Sequence, residues 1–265
     1  MNKDNFYSLA VAYDIAFSER EFDKEAKFIE WVYENFSPLR YKENPEERNF
    51  LELGCGPARH SIAMAKIGWK VSALDMSDDM IAYAENLADK EKAQIKFIKD
   101  NMITFESEEK FSVIGCFTES ITYILTNDDM LLHLNNVAKA LKRGGLYIIE
   151  NAHPRFFFPL EEANFWEVEK DDIKVKALFG TTKDVYDYIN QIWEITVRLI
   201  VKQPNQKTII LKNKSKHRWY LSSEYDLFYR LNPQFNGFYL FGGMSIPPEG
   251  LNEESEEMIV CFRKK

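Results

Sequence analysis

The chain has 265 residues, 45% of them hydrophobic and 14% aromatic, enough to bury a sizeable core as one elaborated domain or a domain with a small lobe. Its 34 basic residues against 42 acidic ones leave a net charge of −8, which argues against a large nucleic-acid footprint because phosphate binding needs a concentrated positive surface. No stretch approaches the ~20 apolar residues of a membrane span. The opening MNKDNFYSLAVAYD has early acids and no small-residue cleavage site. Cys55, Cys116 and Cys261 are few and scattered, so a reducing cytoplasm is expected.

In chain order, residues 5–36 carry helical spacing: Phe6, Leu9, Ala10 and Tyr13, then Phe22, Ala26, Phe28, Ile29, Val32 and Tyr33. Pro38 and the polar run 42–49 close this region. Residues 50–53 read as a short apolar strand, followed by the turn Gly54-Cys55-Gly56, a helix, and a second strand over 70–74 ending on Asp75. Ser77 predicts the N-cap of a helix to about Lys90. Residues 95–98 form a third strand, before Asp100-Asn101-Met102, and residues 111–117 a fourth. A helix over 127–141 follows, with Gly144-Gly145 expected as its glycine C-cap, and residues 146–150 make a fifth strand. Such alternation predicts a parallel sheet wound on both faces, with ligands bound beyond the carboxyl ends of the strands.

From about residue 152 the pattern changes. Trp193, Ile195, Val197, Leu199 and Val201 alternate with Glu194, Thr196, Arg198 and Lys202, a two-residue period. Residues 203–206 read as a hairpin turn into a further strand over 208–211. The basic run Lys212 to Arg218 reads as an edge strand guarded by lysines, the alternative being a substrate-binding patch. Three segments result: residues 1–151 with N-terminal helices and a ligand-binding core, an antiparallel β insertion over 152–220, and residues 221–265. The last segment supplies a helix capped by Ser222 or Ser223, then two strands that complete the core sheet.

The turn is the most informative part. Gly54 and Gly56 lack a Cβ, so backbone can fold tightly and approach a ligand. Asp75, about 20 residues on, stands where a ribose diol lies in a nucleotide-binding βαβ unit. A dinucleotide fingerprint needs a third glycine where this chain has Arg59, and Pro57 removes a backbone donor that a pyrophosphate would use.

The string ELGCGPARH, with Glu52 just before the glycines, instead resembles motif I of class I S-adenosylmethionine-dependent methyltransferases, with Ala58 in place of that family's frequent third glycine. LKRGGLYIIE is similar to the turn preceding their fifth strand. RWYLSSEYDLFYRLNPQFNGFYLFGG followed by EEMIVCFRK resembles the tail of the small-molecule members. FYSLAVAYDIAF resembles the lid helix of amine and amino-sugar N-methyltransferases, which also carry a β insertion. The resemblance implies a doubly wound, seven-stranded, mostly parallel α/β sheet with an antiparallel β insertion after strand 5. It implies S-adenosylmethionine as cofactor, with no metal, since the histidines and cysteines show no ligand spacing.

The same resemblance implies roles. Glu52, Gly54, Cys55 and Gly56 lie beside the methionine end of the cofactor, and Asp75 accepts from its ribose hydroxyls. Met76 and Met80 pack on adenine or else in the core. Asp100 accepts from the adenine amino group or is an ordinary turn former, with the backbone of Asn101 and Met102 alongside. Phe117 and the segment to Tyr123 form a wall between cofactor and acceptor. Tyr123 faces the acceptor or is a buried tyrosine bonded to backbone, and Tyr13 is a lid residue or helix core. His153, just past the fifth strand, is a general-base candidate or a plain loop histidine. His60, His133 and His217 read as structural.

The expected activity is methyl transfer to a small-molecule acceptor, with an amine nitrogen favoured over oxygen. The alternatives are a tRNA or protein methyltransferase docked through Lys212 to Arg218, and a non-catalytic regulator that binds S-adenosylmethionine. The insertion either covers the site, mediates homodimerisation, or does both.

Overall fold

The computed structural model describes residues 3–156 and 163–265. The chain divides into two compact units, one of Glu21–Phe156 with Tyr220–Lys265, the other of the described parts of 1–20 and 157–219. Among the described residues no helix is long and apolar enough to cross a membrane.

Helices α1 (Lys3–Ala16) and α2 (Phe22–Phe36) open the chain. Then β1 (Asn49–Leu53), α3 (Arg59–Lys66), β2 (Lys70–Asp75), α4 (Asp78–Glu91), β3 (Ile95–Lys99), β4 (Phe111–Cys116), α5 (Asn127–Ala140) and β5 (Leu141–Ala152) alternate as the sequence predicts. After the insertion, with strands β6 to β10, come α6 (Ser222–Leu231), β11 (Phe235–Phe241) and β12 (Glu257–Lys264). The main sheet has the order β11-β12-β5-β4-β1-β2-β3. All its pairs are parallel except those of β12, which runs antiparallel to β5 and to β11. The order reverses between β1 and β4, so the loops leaving these strands diverge and open a crevice at their carboxyl ends.

Both faces of this sheet are covered, which explains why β1 is buried at every position rather than at alternate ones. On one side Leu51, Ile114, Tyr147 and Ile149 pack with Met130, Leu134 and Val137 of α5 and Tyr225 and Phe228 of α6. On the other, Phe50, Val113, Leu146 and Ile148 pack with Phe28, Ile29 and Val32 of α2 and Ala63 and Met64 of α3. The Ser77 hydroxyl caps α4 by accepting from the Met80 N–H, as expected.

Two expected helix ends differ. Helix α5 stops at Ala140, and Leu141 is already extended, so Gly144 and Gly145 lie within β5 and cap nothing. Gly144 turns at φ +85°, where a Cβ would stand 2.6 Å from Pro38 Cγ, so its role is close approach of another segment. Helix α6 has Leu221 at its N-cap instead of Ser222 or Ser223, and the Leu221 N–H is satisfied by the Glu224 carboxylate at 2.9 Å.

In the second unit, β6 (Phe165–Lys170), β7 (Ile173–Phe179), β8 (Val185–Asp187), β9 (Ile192–Lys202) and β10 (Ile209–Arg218) form one antiparallel sheet, order β10-β9-β7-β6 with β8 beside β9. The run Lys212 to Arg218 lies on edge strand β10, with Lys212, Lys214 and Lys216 exposed. Helix α1 covers this sheet. Its Ala12, Ile15 and Ala16 pack with Val168, Val175, Ala177, Leu199 and Val201, and the Trp166 indole N–H donates to the Ala16 carbonyl at 2.7 Å. The sequence reading placed this helix with residues 1–151. The alternating strands of the insertion leave one apolar face to bury, and α1 is the element that buries it.

Gly115 in β4 sets how tightly the sheet's end is packed. A Cβ there would stand 2.2 Å from the Phe117 ring and 3.1 Å from Phe50. Gly115→Ala is therefore expected to destabilise the protein by about 1–3 kcal/mol, the usual cost of overpacking a core. Chemical denaturation of the variant, read as a lowered midpoint at constant slope, checks this.

Candidate cofactor and acceptor site

The turn after β1 is built from three left-handed residues, Gly54 (φ +63°), Gly56 (φ +48°) and Ala58 (φ +57°). Its two glycines are needed for different reasons. A Cβ on Gly54 would meet Ser120 at 3.0 Å, whereas a Cβ on Gly56 would meet nothing within 4 Å. Gly54 thus makes room for a neighbouring loop, and Gly56 presents bare backbone to open space. The Cys55 N–H donates to Leu74 O (2.9 Å), tying the turn to β2. Burial, with Glu52 and Asp75 nearby, pushes the Cys55 thiol well up, so it is no nucleophile.

Asp75 stitches this turn to the loop after β2. Its Oδ2 accepts from the Gly56 N–H and its Oδ1 from the Ser77 N–H, both at 2.9 Å. Burial raises its carboxyl above the usual range, against the pull of those backbone donors. Each oxygen retains acceptor capacity beyond the donor it already holds. Beside it Met76 is 68% exposed, so its side chain is not core, while Met80 is half-buried.

Glu52 behaves otherwise than expected. It is buried, and its Oε2 accepts from both the N–H and the hydroxyl of Ser61. Its Oε1 stands 3.4 Å from His60 Nδ1. The acid before the glycines is therefore turned inward onto the first turn of α3, where a helix N-terminus favours negative charge.

The loop after β3 is self-bonded. Asp100 Oδ1 accepts from the Asn101 N–H (2.7 Å), Asn101 Oδ1 accepts from the Ile103 N–H (2.8 Å), and the Asp100 N–H donates to Asp75 O (3.2 Å). This is the turn-former geometry, and it places the loop against the end of β2. His133, read as structural, anchors the same loop from α5. Its Nδ1 lies 2.7 Å from the Met102 carbonyl and its Nε2 2.6 Å from the Tyr147 hydroxyl. Complete burial pushes its pKa down to about 4, so the ring is neutral, with Nδ1–H donating to Met102 and Nε2 accepting from Tyr147.

After β4 the backbone takes two consecutive left-handed residues, Thr118 (φ +51°) and Glu119 (φ +58°). Such conformations are costly for side-chain-bearing residues and cluster at ligand sites. The Thr118 N–H is held by the buried Glu150 carboxylate at 2.9 Å, and the Ser120 hydroxyl donates to Gly54 O at 3.1 Å. Phe117 does not form a wall: its ring is buried, stacked on His60 with centroids 4.5 Å apart. Tyr123 ends a 3-10 turn (Ser120–Tyr123) and is 53% exposed, so its alternative reading as a buried tyrosine does not hold.

His153 is half-buried past β5. Its N–H donates to Glu256 O (3.1 Å), and its Nδ1 accepts from the Arg155 N–H (3.3 Å). Tyr13 lies on α1 in the second unit, its ring 4.7 Å from Phe17. The first unit therefore brings together Gly54, Cys55, Gly56, Asp75, Met76 and the Asp100–Met102 turn. The sequence reading missed Glu150 and the inward role of His60, whose signal was its place directly after the glycine turn.

Residues 50–145 match the family described as "Methyltransferase domain". A protein from Geobacillus sp. (strain WCH70) described as a methyltransferase is 25% identical over 145 residues, 55% of this chain and 56% of that one. A dTDP-4-amino-2,3,4,6-tetradeoxy-D-glucose N,N-dimethyltransferase of Saccharopolyspora spinosa is 31% identical over 106 residues, 40% of this chain and 41% of that one. The chain thus spans about half the length of the curated relatives it matches. The fold is shared with the sugar N-methyltransferase KedS8 from Streptoalloteichus sp. at TM-score 0.71 and 16% identity, over 96% of this chain and 93% of that one. The fold is that of the class I methyltransferases, and residues 50–145 match a methyltransferase domain.

Two of the histidines bound the pH range of stability from opposite sides. His60 is held up to about 9: burial opposes its charge, and hydrogen bonds to Glu25 and Glu52 outweigh burial. Its contribution is complete below the ordinary value of ~6.5 and is lost as pH rises through about 9. His133 is held down, so its contribution is complete above ~6.5 and is lost as pH falls toward about 4. His217, pushed down to about 4 by burial, acts in the same direction within the second unit. Denaturation free energy against pH is expected to peak near pH ~6.5. Replacing His133 by glutamine should make the acid limb shallower and leave the basic one.

Proposed function

We propose that the protein transfers a methyl group from S-adenosylmethionine to a small-molecule acceptor, with an amine nitrogen as the atom methylated. The observation that carries this reading is the junction of the glycine turn and Asp75. There an open stretch of backbone at Gly56, a carboxylate with acceptor capacity to spare and an exposed thioether at Met76 meet at the switch point of the sheet. The S. spinosa relative and KedS8 are both N-methyltransferases of sugars, which favours an amine.

The residues present fit the cofactor. Asp75 would accept from the ribose hydroxyls, Met76 and Met80 would flank adenine, and Asp100 would accept from the adenine amino group. Gly56 would let backbone lie beside the methionine end, with Gly54 and Cys55 completing the turn. The cofactor, when bound, supplies an activated methyl group and its own leaving group, so the protein contributes mainly proximity and orientation. On the acceptor side Tyr123 would orient the amine or take its proton, with His153 as the other candidate base. The three free cysteines are buried, in keeping with the cytoplasmic location proposed for the enzyme.

Asp75→Ala is expected to weaken S-adenosylhomocysteine binding by about 1.5–3 kcal/mol, the worth of a charge-assisted hydrogen bond. Unchanged affinity by calorimetry would remove Asp75 from the site. Tyr123→Phe is expected to leave that affinity intact and lower turnover, by about 100-fold if the hydroxyl takes the proton and by less, with a raised KM, if it only orients the acceptor. A methyl-transfer screen over amines, amino sugars and phenols tests the acceptor class, and product formed from phenols alone would overturn N-methylation.

A further inference from the structure

His60 is the second residue of α3, yet three other segments close on its ring. From α2 the Glu25 carboxylate reaches Nε2 at 2.6 Å, and the Phe22 ring stands edge-on at 5.1 Å. From β1, Glu52 Oε1 lies 3.4 Å from Nδ1. From the end of β4, Phe117 stacks on the ring with planes 27° apart. These are the strand ends that launch the glycine turn and the strained Thr118–Glu119 turn, and the two turns are joined by the Ser120 hydroxyl on Gly54 O. Glu25 and Glu52 are the charged groups facing the ring, and His60 is almost wholly buried between them.

We propose that His60 is a positioning residue for the cofactor site: bridging Glu25 and Glu52, its doubly protonated ring locks the first turn of α2, the glycine turn and the Phe117 end of β4 into one arrangement, and loss of its ring proton releases that lock. The inference rests on the cofactor reading above. Each ring nitrogen of the imidazolium donates toward one carboxylate. A neutral ring has one N–H, so deprotonation aims a nitrogen lone pair at a buried carboxylate and leaves that charge without its partner, which is costly in a low-dielectric interior. Hydrogen bonding to the two acids keeps the ring charged to about pH 9 although burial opposes it. Phe22 and Glu25 lie in the first turn of α2, directly after the point at which the chain passes from one compact unit to the other. Loosening them frees the start of that unit's chain as well as the turn.

The test uses the full chain and S-adenosylhomocysteine as probe. Wild-type affinity, measured by calorimetry from pH 6 to 10, is expected to hold to about pH 8 and then fall, approaching tenfold per pH unit above the His60 midpoint. In Glu25→Gln the midpoint should move down by about one unit or more, the usual effect of removing an adjacent opposite charge. His60→Gln should bind about tenfold or more weakly at pH 7, a loss of about 1.4 kcal/mol or more, and show no such transition. Histidine-selective NMR over the same range should find a ring still charged above pH 8, lost in His60→Gln. A His60 ring titrating at or below ~6.5, or a wild-type affinity flat to pH 10, overturns the proposal even if His60→Gln does not fold. If wild type binds no S-adenosylhomocysteine at pH 7, the cofactor reading falls and the proposal with it. If wild type and His60→Gln bind equally with one pH profile, the proposal alone falls.

Discussion

The site depends on carboxylates at or near strand ends that satisfy backbone N–H groups in the loops and the helical turn beyond them. Glu52, next to last in β1, accepts from Ser61 in the first turn of α3; Asp75 ends β2 and accepts from Gly56 and Ser77; Glu150, near the end of β5, accepts from Thr118. Parallel strands that stop together leave a row of loop amides with no ladder partner, and a buried amide without a partner costs as much as a lost hydrogen bond. Supplying the acceptors from side chains fixes each loop's path without closing the crevice with more backbone. It also leaves Asp75 with acceptor capacity to offer a ligand.

The same solution accounts for the unusual backbone. Ala58, Thr118 and Glu119 are side-chain-bearing residues in left-handed conformations, each held by surroundings that over-determine it. Thr118 is held by Glu150, and Ala58 is wholly buried behind the turn with Cys55, Ala73 and Ala84. The Ser120–Gly54 contact joins the two strained turns, and the His133–Met102 contact sets the third loop from the opposite face of the sheet. The loops around the crevice are thus held by side chains from β1, β2, β5 and α5, all of them elements packed in the core.

The second unit has a separate logic. An antiparallel sheet with one apolar face must cover it, and α1 does so with small residues that let helix and strands approach closely. Its polar edge, β10, carries three exposed lysines that keep an unpaired strand from recruiting another. Its construction follows from the two-residue period of β9.

Most of the fold was legible in the sequence because its signals are local. The apolar runs at 50–53, 111–117 and 146–150, the glycine turn, Ser77 as a cap and the alternation over 193–202 each report the backbone they sit on. The placement of Asp75 at a strand end followed from spacing alone. What the sequence could not show was direction and partnership across the sheet. Glu52 and Phe117 read as site-facing because they flank the site, yet one turns onto Ser61 and His60 and the other into the core. Gly144 read as a helix cap because it follows a helix, while its partner is Pro38, more than a hundred residues away. Helix α1 read as part of the first unit because it comes first, while its apolar stripe is buried on strands that start some 150 residues later. Periodicity and turn chemistry are properties of neighbouring residues, so the sequence determined the elements and the location of the crevice. Which way a strand-end side chain points, and which distant surface an apolar stripe meets, depend on packing between segments, and only the tertiary structure decided them.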